Sequence, residues 1–452
     1  MAALSRTVTG VSDLLDLQRQ DPQRYPQLLQ SVAHGRYDIL FAIPGDSLVL
    51  QSDGLLRGPD ATITSAGYFL DALDRWWQHD RAGDMSDDLP FGGGWFVYLG
   101  YELAAQIEPT LRFTHADPWL PVAFATRFRT AVIRDRERDG VFIVGEQDTE
   151  AELAMIEADI AALPHAGTPV RREIRVLAIS EDPDEMYLDA VRRIKRYIIE
   201  GDVFQVNLSR AWEIQLSHDA DAAALYASLG YHNPAPFSGL VHWQDTSIIS
   251  SSPERLVRVR GDRVETRPIA GTRPRSRSQT RDTAYSDELL SHPKERAEHI
   301  MLIDLERNDL GRLCIPGSIE VNEFMVLESY AHVHHIVSNI RGRLREGTTP
   351  GAVLRAVFPG GTITGCPKVR CMEIIAELEQ TARGAYTGSM GYLNRDGSMD
   401  MNILIRTMIS RGDRLALRAG AGIVADSEPH AELAETRAKA RGLLRSLGPG
   451  TA

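Results

Sequence analysis

The 452-residue sequence has few cysteines and no long hydrophobic run. Its three cysteines, Cys314, Cys366 and Cys371, contain no C-x-x-C pair. This sparse and odd set argues against a disulfide framework and a structural zinc site, and is typical of a reducing cytoplasm, where we expect the protein. No window approaches the roughly 20 apolar residues of a membrane helix. The N-terminus has no basic patch followed by an apolar run, so we predict neither membrane span nor signal peptide.

Positive charge is also in the minority. The chain has 50 Lys and Arg against 62 Asp and Glu, a formal net charge of −12. The one arginine-rich stretch, residues 273–281 (RPRSRSQTR), is short and has no interleaved aromatic residue. We therefore expect no nucleic-acid partner. The composition, 43% hydrophobic and 25% charged, is that of an ordinary globular protein with room for two or three domains.

The pattern of turns and periodic segments predicts the organisation of the chain. Residues 164–172 (PHAGTPVRR) are the best linker candidate, between an N-terminal region at 1–165 and a second region at 180–447. Tight turns such as 395–397 (RDG) join several strands. We predict an α/β (α+β) fold, a two-sheet, largely antiparallel sandwich flanked by helices. No G-x-G-x-x-G fingerprint follows a strand, so dinucleotide binding has no support.

Local signals give individual elements. Strands are predicted at 36–43, 47–51, 94–102 and 123–134, and a helix at 68–79. Thr149 and Glu152 form a predicted capping box, and Asp182 is the predicted N-cap of a helix that ends at Gly201.

Two predicted helices carry carboxylates on one face. Glu295 and Glu298 are three residues apart in the helix at 294–310. The helix at 427–444 repeats the pattern with Glu428, Glu432, Glu435 and Lys439. Two such helices could hold one Mg²⁺, an ion that prefers a few carboxylates, water and an anionic substrate. Two solvated acidic faces explain the same spacing.

Other candidate residues lie in strand-like and glycine-bearing segments. In the strand at 331–341, His334 and His335 point to opposite sides, so one of them could be a buried general acid or base, or simply a core histidine. Glycines at 268–272, 358–368 and 418–426 could bring backbone N–H groups to anionic oxygens, or form plain turns. Arg406, in the strand-like MNILIRT, could bind a carboxylate or lie exposed on a sheet face.

These segments come in the order of one family. The motifs are SSPE (251–254), PIAGT (268–272), KERAEHIMLIDLERND (294–309), HHIVSNI (334–340), FPGGTITGCPKVRCMEII (358–375), YTGSMGY (386–392), IRT (405–407), AGAGIVADS (419–427) and E-T-x-x-K (435–439). The chain resembles the chorismate-utilising enzymes: component I of aminodeoxychorismate and anthranilate synthases, with isochorismate and salicylate synthases as more distant members. The resemblance is dense over residues 184–447.

The resemblance implies a role for each matching residue. Glu298 and Glu435 match magnesium ligands, with Glu295 and Glu432 as helpers. Glu254 matches a general acid or base at the ring, and His335 a histidine beside the departing C4 oxygen of chorismate. Thr272 and Thr362 match small polar residues that contact the substrate. Gly271, between Ala270 and Thr272 in PIAGT, is expected to contact it too. Tyr386, Arg406 and the backbone of Gly420, Ala421 and Gly422 match binders of the enolpyruvyl carboxylate, and Lys439 matches a nearby cation.

Two positions bear on which reaction is catalysed. At the position that resembles Gln205, the isochorismate and salicylate synthases look to hold a lysine that activates water. Glutamine cannot deprotonate water, so Gln205 fits the members that use ammonia. Ala270 departs from the lysine of well-known aminodeoxychorismate synthases and matches anthranilate synthases. The segments 88–94 (DLPFGGG), 233–239 (NPAPFSG), 333–338 and 358–365 are closer to aminodeoxychorismate synthase, which is the activity we expect.

Partners also follow from the resemblance. The chain has no evident glutaminase, so a separate glutamine amidotransferase small subunit is expected to supply ammonia. Residues 28–31 (LLQS) and 35–37 (GRY) resemble a segment that lines a tryptophan pocket, although a plain helix-to-strand junction gives the same pattern. A non-catalytic chorismate-binding subunit is a further alternative. The presence of both Glu254 and His335 argues against it, because a binder needs no acid or base.

Overall fold

The computed structural model describes residues 4–33, 35–83, 89–113, 115–163, 174–276, 278–329 and 333–448. The predicted linker at 164–172 therefore lies outside the described residues, as does Asp88 of the segment at 88–94. None of the helices in these ranges combines the length and hydropathy needed to cross a membrane.

The first half of the chain contains most of the predicted elements. Its strands are β1 (Leu4–Val8), β2 (Gln27–Gln30), β3 (Tyr37–Leu50), β4 (Leu56–Arg57), β5 (Gly94–Leu99), β6 (Ala123–Asp135), β7 (Gly140–Gly145), β8 (Val176–Glu181) and β9 (Gln205–Leu216). Its helices are α1 (Leu14–Gln20), α2 (Ala61–Thr64), α3 (Phe69–Asp80), α4 (Ala104–Ile107), α5 (Glu150–Ala161) and α6 (Asp184–Ile199), with a 3-10 turn at Tyr101–Leu103. The predicted helix at 68–79 is α3, which buries Phe69, Leu73 and Trp76 on its inner face.

The second half follows the same alternation. Its strands are β10 (Phe237–Trp243), β11 (Thr246–Ser252), β12 (Arg255–Arg260), β13 (Arg263–Arg267), β14 (Ile269–Pro274), β15 (Glu320–Ser329), β16 (Val333–Arg343), β17 (Gly365–Cys366), β18 (Ser389–Asn394), β19 (Met399–Asn402), β20 (Thr407–Arg411) and β21 (Arg414–Ile423). Its helices are α7 (Ala222–His232), α8 (Gln279–Ser291), α9 (Pro293–Gly311), α10 (Pro350–Val357), α11 (Lys368–Glu379) and α12 (Pro429–Arg445), with a 3-10 turn at Gly361–Ile363.

The strands form a large antiparallel sheet system, which confirms the predicted fold class. Among the described residues, the strands join one continuous hydrogen-bonded network instead of two separate sheets. Strands of the first region pair with strands of the second, β2 with β10 and β5 with β18. One core cluster likewise contains Leu48 and Trp95 from the first region and Leu256 and Ile303 from the second. The two regions therefore share both sheet and core.

Two predicted helix caps differ in the structure. The Thr149 hydroxyl donates to the Glu146 carbonyl at 2.6 Å and makes no capping hydrogen bond to α5. The Asp182 carboxylate accepts from the backbone N–H of Ala211 at 2.7 Å, so α6 begins one residue later with Pro183 as its N-cap. In both cases a tertiary or loop hydrogen bond replaces the local one.

Candidate active site

Two glycines of β21 form the floor of the candidate site. A Cβ at Gly420 would lie 2.7 Å from the Tyr386 hydroxyl oxygen, and one at Gly422 would collide with Nε2 of Gln205. The missing side chains thus make room for Tyr386 and Gln205 on this face of the sheet. Ala421 points to the opposite face, where it is fully buried in a core cluster, so only its backbone can face the site.

Glu254 is a buried carboxyl between β11 and β12. Its side chain is 4% exposed, and burial raises its pKa to about 7. The Thr362 hydroxyl, the Ile269 N–H and the charge of Arg406 act in the opposite direction and favour the carboxylate. A carboxyl with a pKa near neutrality can both give and take a proton, as the predicted acid or base role requires.

His335 faces the same site from β16. Its Nδ1 lies 3.3 Å from the carbonyl oxygen of Gly271, in the bulged part of β14 where Gly271 has φ +64°. Burial, assisted by the charge of Arg406, lowers the pKa of His335 to about 4. The imidazole is therefore neutral at pH 7, and the Gly271 contact favours the tautomer that carries its proton on Nδ1.

The two neighbouring histidines of β16 have different surroundings. His334, on the other side of β16, lies 2.7 Å from Ser329 Oγ and 3.1 Å from Asp282 Oδ1. It is a buried, satisfied histidine, whereas His335 lies beside the PIAGT segment. Ala270 pairs with Ile336 and the backbone of Thr272 with His335, so Ala270 lies close to this histidine. The side chain of Thr272 lies outside the described part of the chain.

Arg406 reaches the site from a turn, and its predicted strand context is wrong. It lies between β19 and β20 with φ +52°, in the left-handed region. Its guanidinium is near enough to Glu254 and His335 for its positive charge to favour the ionised Glu254 and the neutral His335. Ser251 donates its N–H to the Arg406 carbonyl at 3.1 Å, which anchors the turn.

The predicted magnesium residues lie on α9 and α12. Glu295 accepts from Arg273 Nη1 at 3.1 Å, and its carboxylate lies against Gly271. Glu298 follows one turn later and is half-buried. Glu295 therefore faces the PIAGT segment, and Glu298 shares its face of α9.

On α12, Glu435 pairs with Lys439 at 2.7 Å, and Lys439 donates to the Gly420 carbonyl at 3.0 Å. The pKa of Tyr187 is raised mainly by burial and further by the nearby charge of Glu432. Within the described ranges no group of three or more His, Cys, Asp or Glu side chains forms a complete metal cage. All four candidates are carboxylates, the donor type preferred by Mg²⁺, an ion that takes few protein ligands and completes its shell with water and substrate.

Sequence reasoning did not find a buried ionic cluster beneath Tyr386. Glu379, Arg383 and Arg418 form it, and none of their side chains is more than 9% exposed. The i,i+4 spacing of Glu379 and Arg383 was a possible signal, but surface pairs show the same spacing. Asn207 was also missed, although its buried Oδ1 lies 2.9 Å from the position of a Gly420 Cβ.

The segment that resembles a tryptophan pocket lines a cavity of about 670 Å³. Leu29, Ser31, Gly35 and Tyr37 form one wall, and Phe237 forms part of another. The cavity is therefore built by the predicted segment together with 233–239, and has room for an amino acid.

Known proteins resemble this chain along most of its length. The profile described as chorismate binding enzyme matches residues 35–445. Aminodeoxychorismate synthase component 1 of Bacillus subtilis (strain 168) is 38% identical over 438 residues, 94% of this chain and 92% of its own. Anthranilate synthase component 1 of Aquifex aeolicus is 43% identical over 376 residues, 79% of this chain and 74% of its own.

The fold has a solved counterpart. The crystal structure of anthranilate synthase component I from Streptococcus pneumoniae TIGR4 superposes with a TM-score of 0.80 and 29% identity. The match covers 91% of this chain and 92% of that chain. The sheet system and the helices around it are therefore shared along nearly the full length of both.

Proposed function

This chain belongs to the family of chorismate-binding enzymes, and from that premise we propose that it is component I of an aminodeoxychorismate synthase. The observation that carries the choice is the 38% identity to the Bacillus subtilis aminodeoxychorismate synthase over 94% of this chain and 92% of its own. The substrates are chorismate and ammonia, and the product is 4-amino-4-deoxychorismate, a precursor of para-aminobenzoate.

The reaction exchanges a hydroxyl group for an amino group. In the route we propose, ammonia forms a bond to ring C2 while the ring double bonds shift and the C4–O bond breaks. The attacking nitrogen loses one proton, and the departing hydroxyl gains one and leaves as water. A second ammonia then forms a bond to C4 as the C2–N bond breaks. The attacking nitrogen loses one proton and the departing nitrogen gains one, so the first nitrogen leaves as ammonia. The net change is one ammonia in and one water out.

Glu254 and His335 carry out these proton transfers. Glu254, with its pKa near 7, can donate to the departing hydroxyl and accept from the attacking nitrogen. His335 is neutral at pH 7, so it serves as an acceptor at Nε2. Ala270 offers no nucleophile and Gln205 no base, so ammonia itself attacks, without a covalent lysine adduct.

The two carboxylates of chorismate require two cationic or N–H-rich surfaces. Tyr386, whose pKa burial raises to about 12, stays a neutral donor. With Arg406 and the Gly420–Gly422 backbone, it forms the surface for the enolpyruvyl carboxylate. Glu298 and Glu435, helped by Glu295 and Glu432, would hold Mg²⁺. The ion would supply positive charge for the ring carboxylate and for the departing oxygen.

A glutamine amidotransferase subunit is the proposed source of ammonia. Among the described residues Cys314 and Cys371 are buried, and burial raises the pKa of all three cysteines, which argues against a nucleophilic thiolate in this chain. Free ammonium at high concentration should then replace the partner.

Anthranilate synthase component I is the second candidate, favoured by Ala270 and by the 43% identity to the Aquifex aeolicus enzyme. Its reaction begins with the same attack at C2. Loss of the C2 proton and cleavage of the C3–O bond then release pyruvate and leave the aromatic ring. The two candidates therefore differ only in the fate of the aminated intermediate.

The test is to incubate the purified chain with chorismate, Mg²⁺ and ammonium, and to identify the product by mass and fluorescence. We expect 4-amino-4-deoxychorismate, which retains the enolpyruvyl group. Fluorescent anthranilate with one pyruvate per turnover would establish the second candidate. Chorismate that is bound but not consumed would establish the non-catalytic subunit.

A further inference from the structure

A buried cluster of two arginines and one glutamate lies behind the wall that carries Tyr386. Arg383 donates from Nε and Nη2 to the two oxygens of Glu379, at 2.9 and 2.5 Å. Arg418 donates from Nη2 to the same carboxylate at 3.0 Å. These charges sum to +1, and all three side chains are nearly inaccessible to solvent. Water therefore screens the residual positive charge poorly.

Arg383 connects this cluster to three elements of the site. Its Nη2 donates to the Asn207 carbonyl at 2.7 Å, and its Nη1 to the Ile363 carbonyl at 3.2 Å, next to Thr362. The guanidinium stacks on the Tyr386 ring, with 5.6 Å to the ring centroid. The arginine thus holds the phenol from behind while the hydroxyl faces Gly420.

Arg418 is placed for an electrostatic effect on the same surface. It lies two residues before Gly420 on β21, so both face the same side of the sheet. Its Nε donates to Ser209 Oγ at 3.1 Å and its Nη1 to Thr381 Oγ1 at 2.8 Å. These bonds fix the guanidinium beside the floor of the site.

One neighbouring carboxyl reduces this positive charge only in part. Glu102 accepts the backbone N–H groups of Arg383 and Gly384, at 2.8 and 3.1 Å. Burial raises the pKa of Glu102 to about 7, so it carries only part of a negative charge at neutral pH. The cluster with Glu102 therefore stays net positive.

We propose that Arg418 is a positioning and specificity residue. Its charge leaves the cluster with Glu379 and Arg383 net positive, and this positive charge attracts the substrate carboxylate to Tyr386 and Gly420. The inference rests on the proposed function, in which chorismate binds there as a dianion. A preorganised charge that does not itself touch the substrate should act mainly on binding, and little on the chemical step.

The experiment compares steady-state kinetics of the purified chain with ammonium. Arg418→Met removes the charge and should raise KM for chorismate on the order of tenfold, with kcat changed less than about twofold. Arg418→Lys keeps the charge but, like Arg418→Met, loses the hydrogen bonds of the guanidinium. Its KM should stay within about threefold of the wild-type value. Arg414→Met, the same substitution at an exposed position of the same strand, is the control and should keep the wild-type KM.

A double variant separates charge from structure. Arg418→Met with Glu379→Gln restores the net charge of +1 through Arg383 alone, and KM should return towards the wild-type value. Equal KM values for the Lys and Met variants, or a double variant worse than Arg418→Met, would overturn the inference. If Arg418→Met does not fold, Arg418→Gln takes its place and the folding of the double variant is measured first. Wild type that leaves chorismate unchanged would instead refute the proposed function.

Discussion

Replacing Glu254 by glutamine should stabilise the protein while abolishing turnover. Burial raises the pKa of this carboxyl from its ordinary value of 4.5 to about 7 in the folded protein. At about 1.4 kcal/mol for each pH unit, this difference makes its ionisation cost about 3 kcal/mol of folding free energy. Glutamine has nearly the same shape and no charge, so it avoids this cost.

The sign of the effect depends on pH. Below pH 4.5 the carboxyl is protonated in both states, and wild type and variant should be equally stable with respect to this group. Between pH 4.5 and about 7 the unfolded chain loses the proton first, so the free energy of unfolding of wild type falls as pH rises. Above pH 7 the full difference, up to about 3 kcal/mol, should favour the Glu254→Gln variant.

Urea denaturation of both proteins at pH 5 and pH 8 measures the effect. Glu102 is also buried, with its pKa raised by burial to about 7, but it is present in both proteins and cancels. The pKa of Glu306 is raised by burial and further by the charge of Glu254, so the loss of that charge adds to the stability of the variant at high pH. Glu213→Gln, at an exposed position of β9, is the control and should change neither stability nor turnover. A stability gap that is the same at both pH values, or a variant that is less stable at pH 8, would refute the reasoning.

Four further predictions concern the site. Glu298→Gln or Glu435→Gln should abolish Mg²⁺-dependent turnover without lowering the melting temperature; near-wild-type rates at modest Mg²⁺ would contradict the metal assignment. Ala270→Lys should preserve or raise formation of 4-amino-4-deoxychorismate, measured by product mass. Arg406→Gln should raise the apparent pKa that Glu254 contributes to the pH profile of activity, because the lost charge favoured the carboxylate. An unchanged pH profile would contradict this contact. Tryptophan should bind in the 670 Å³ cavity and raise the melting temperature; no co-purification, shift or inhibition would exclude that ligand.

Helix faces and turns that follow a local sequence pattern could be predicted from the sequence. The buried face of α3 and the carboxylate faces of α9 and α12 follow the helical period, and the hairpin at 395–397 follows its turn residues. The long strand β3 was predicted as two strands, because the chain shifts register between Pro44 and Ser47 where it pairs with β6. A bulge resembles a strand end when the partner strand is unknown.

Residues whose role depends on distant partners could not be predicted in this way. Arg406 is in a strand-like sequence, but its left-handed backbone becomes visible only when β19 and β20 are both placed. Arg418 and Glu379 are 39 positions apart and meet only because β21 and the end of α11 pack together. A sequence pattern records spacing along the chain, whereas such a cluster depends on contacts across the fold.

The central claim is that this chain places the amino group at C4 and keeps the enolpyruvyl group. Incubation with chorismate, Mg²⁺ and ¹⁵N-labelled ammonium, followed by NMR of the product, tests it most directly. The account predicts a ¹⁵N–C4 coupling, an intact enolpyruvyl signal and no pyruvate. A ¹⁵N-labelled aromatic product with one equivalent of pyruvate would contradict it.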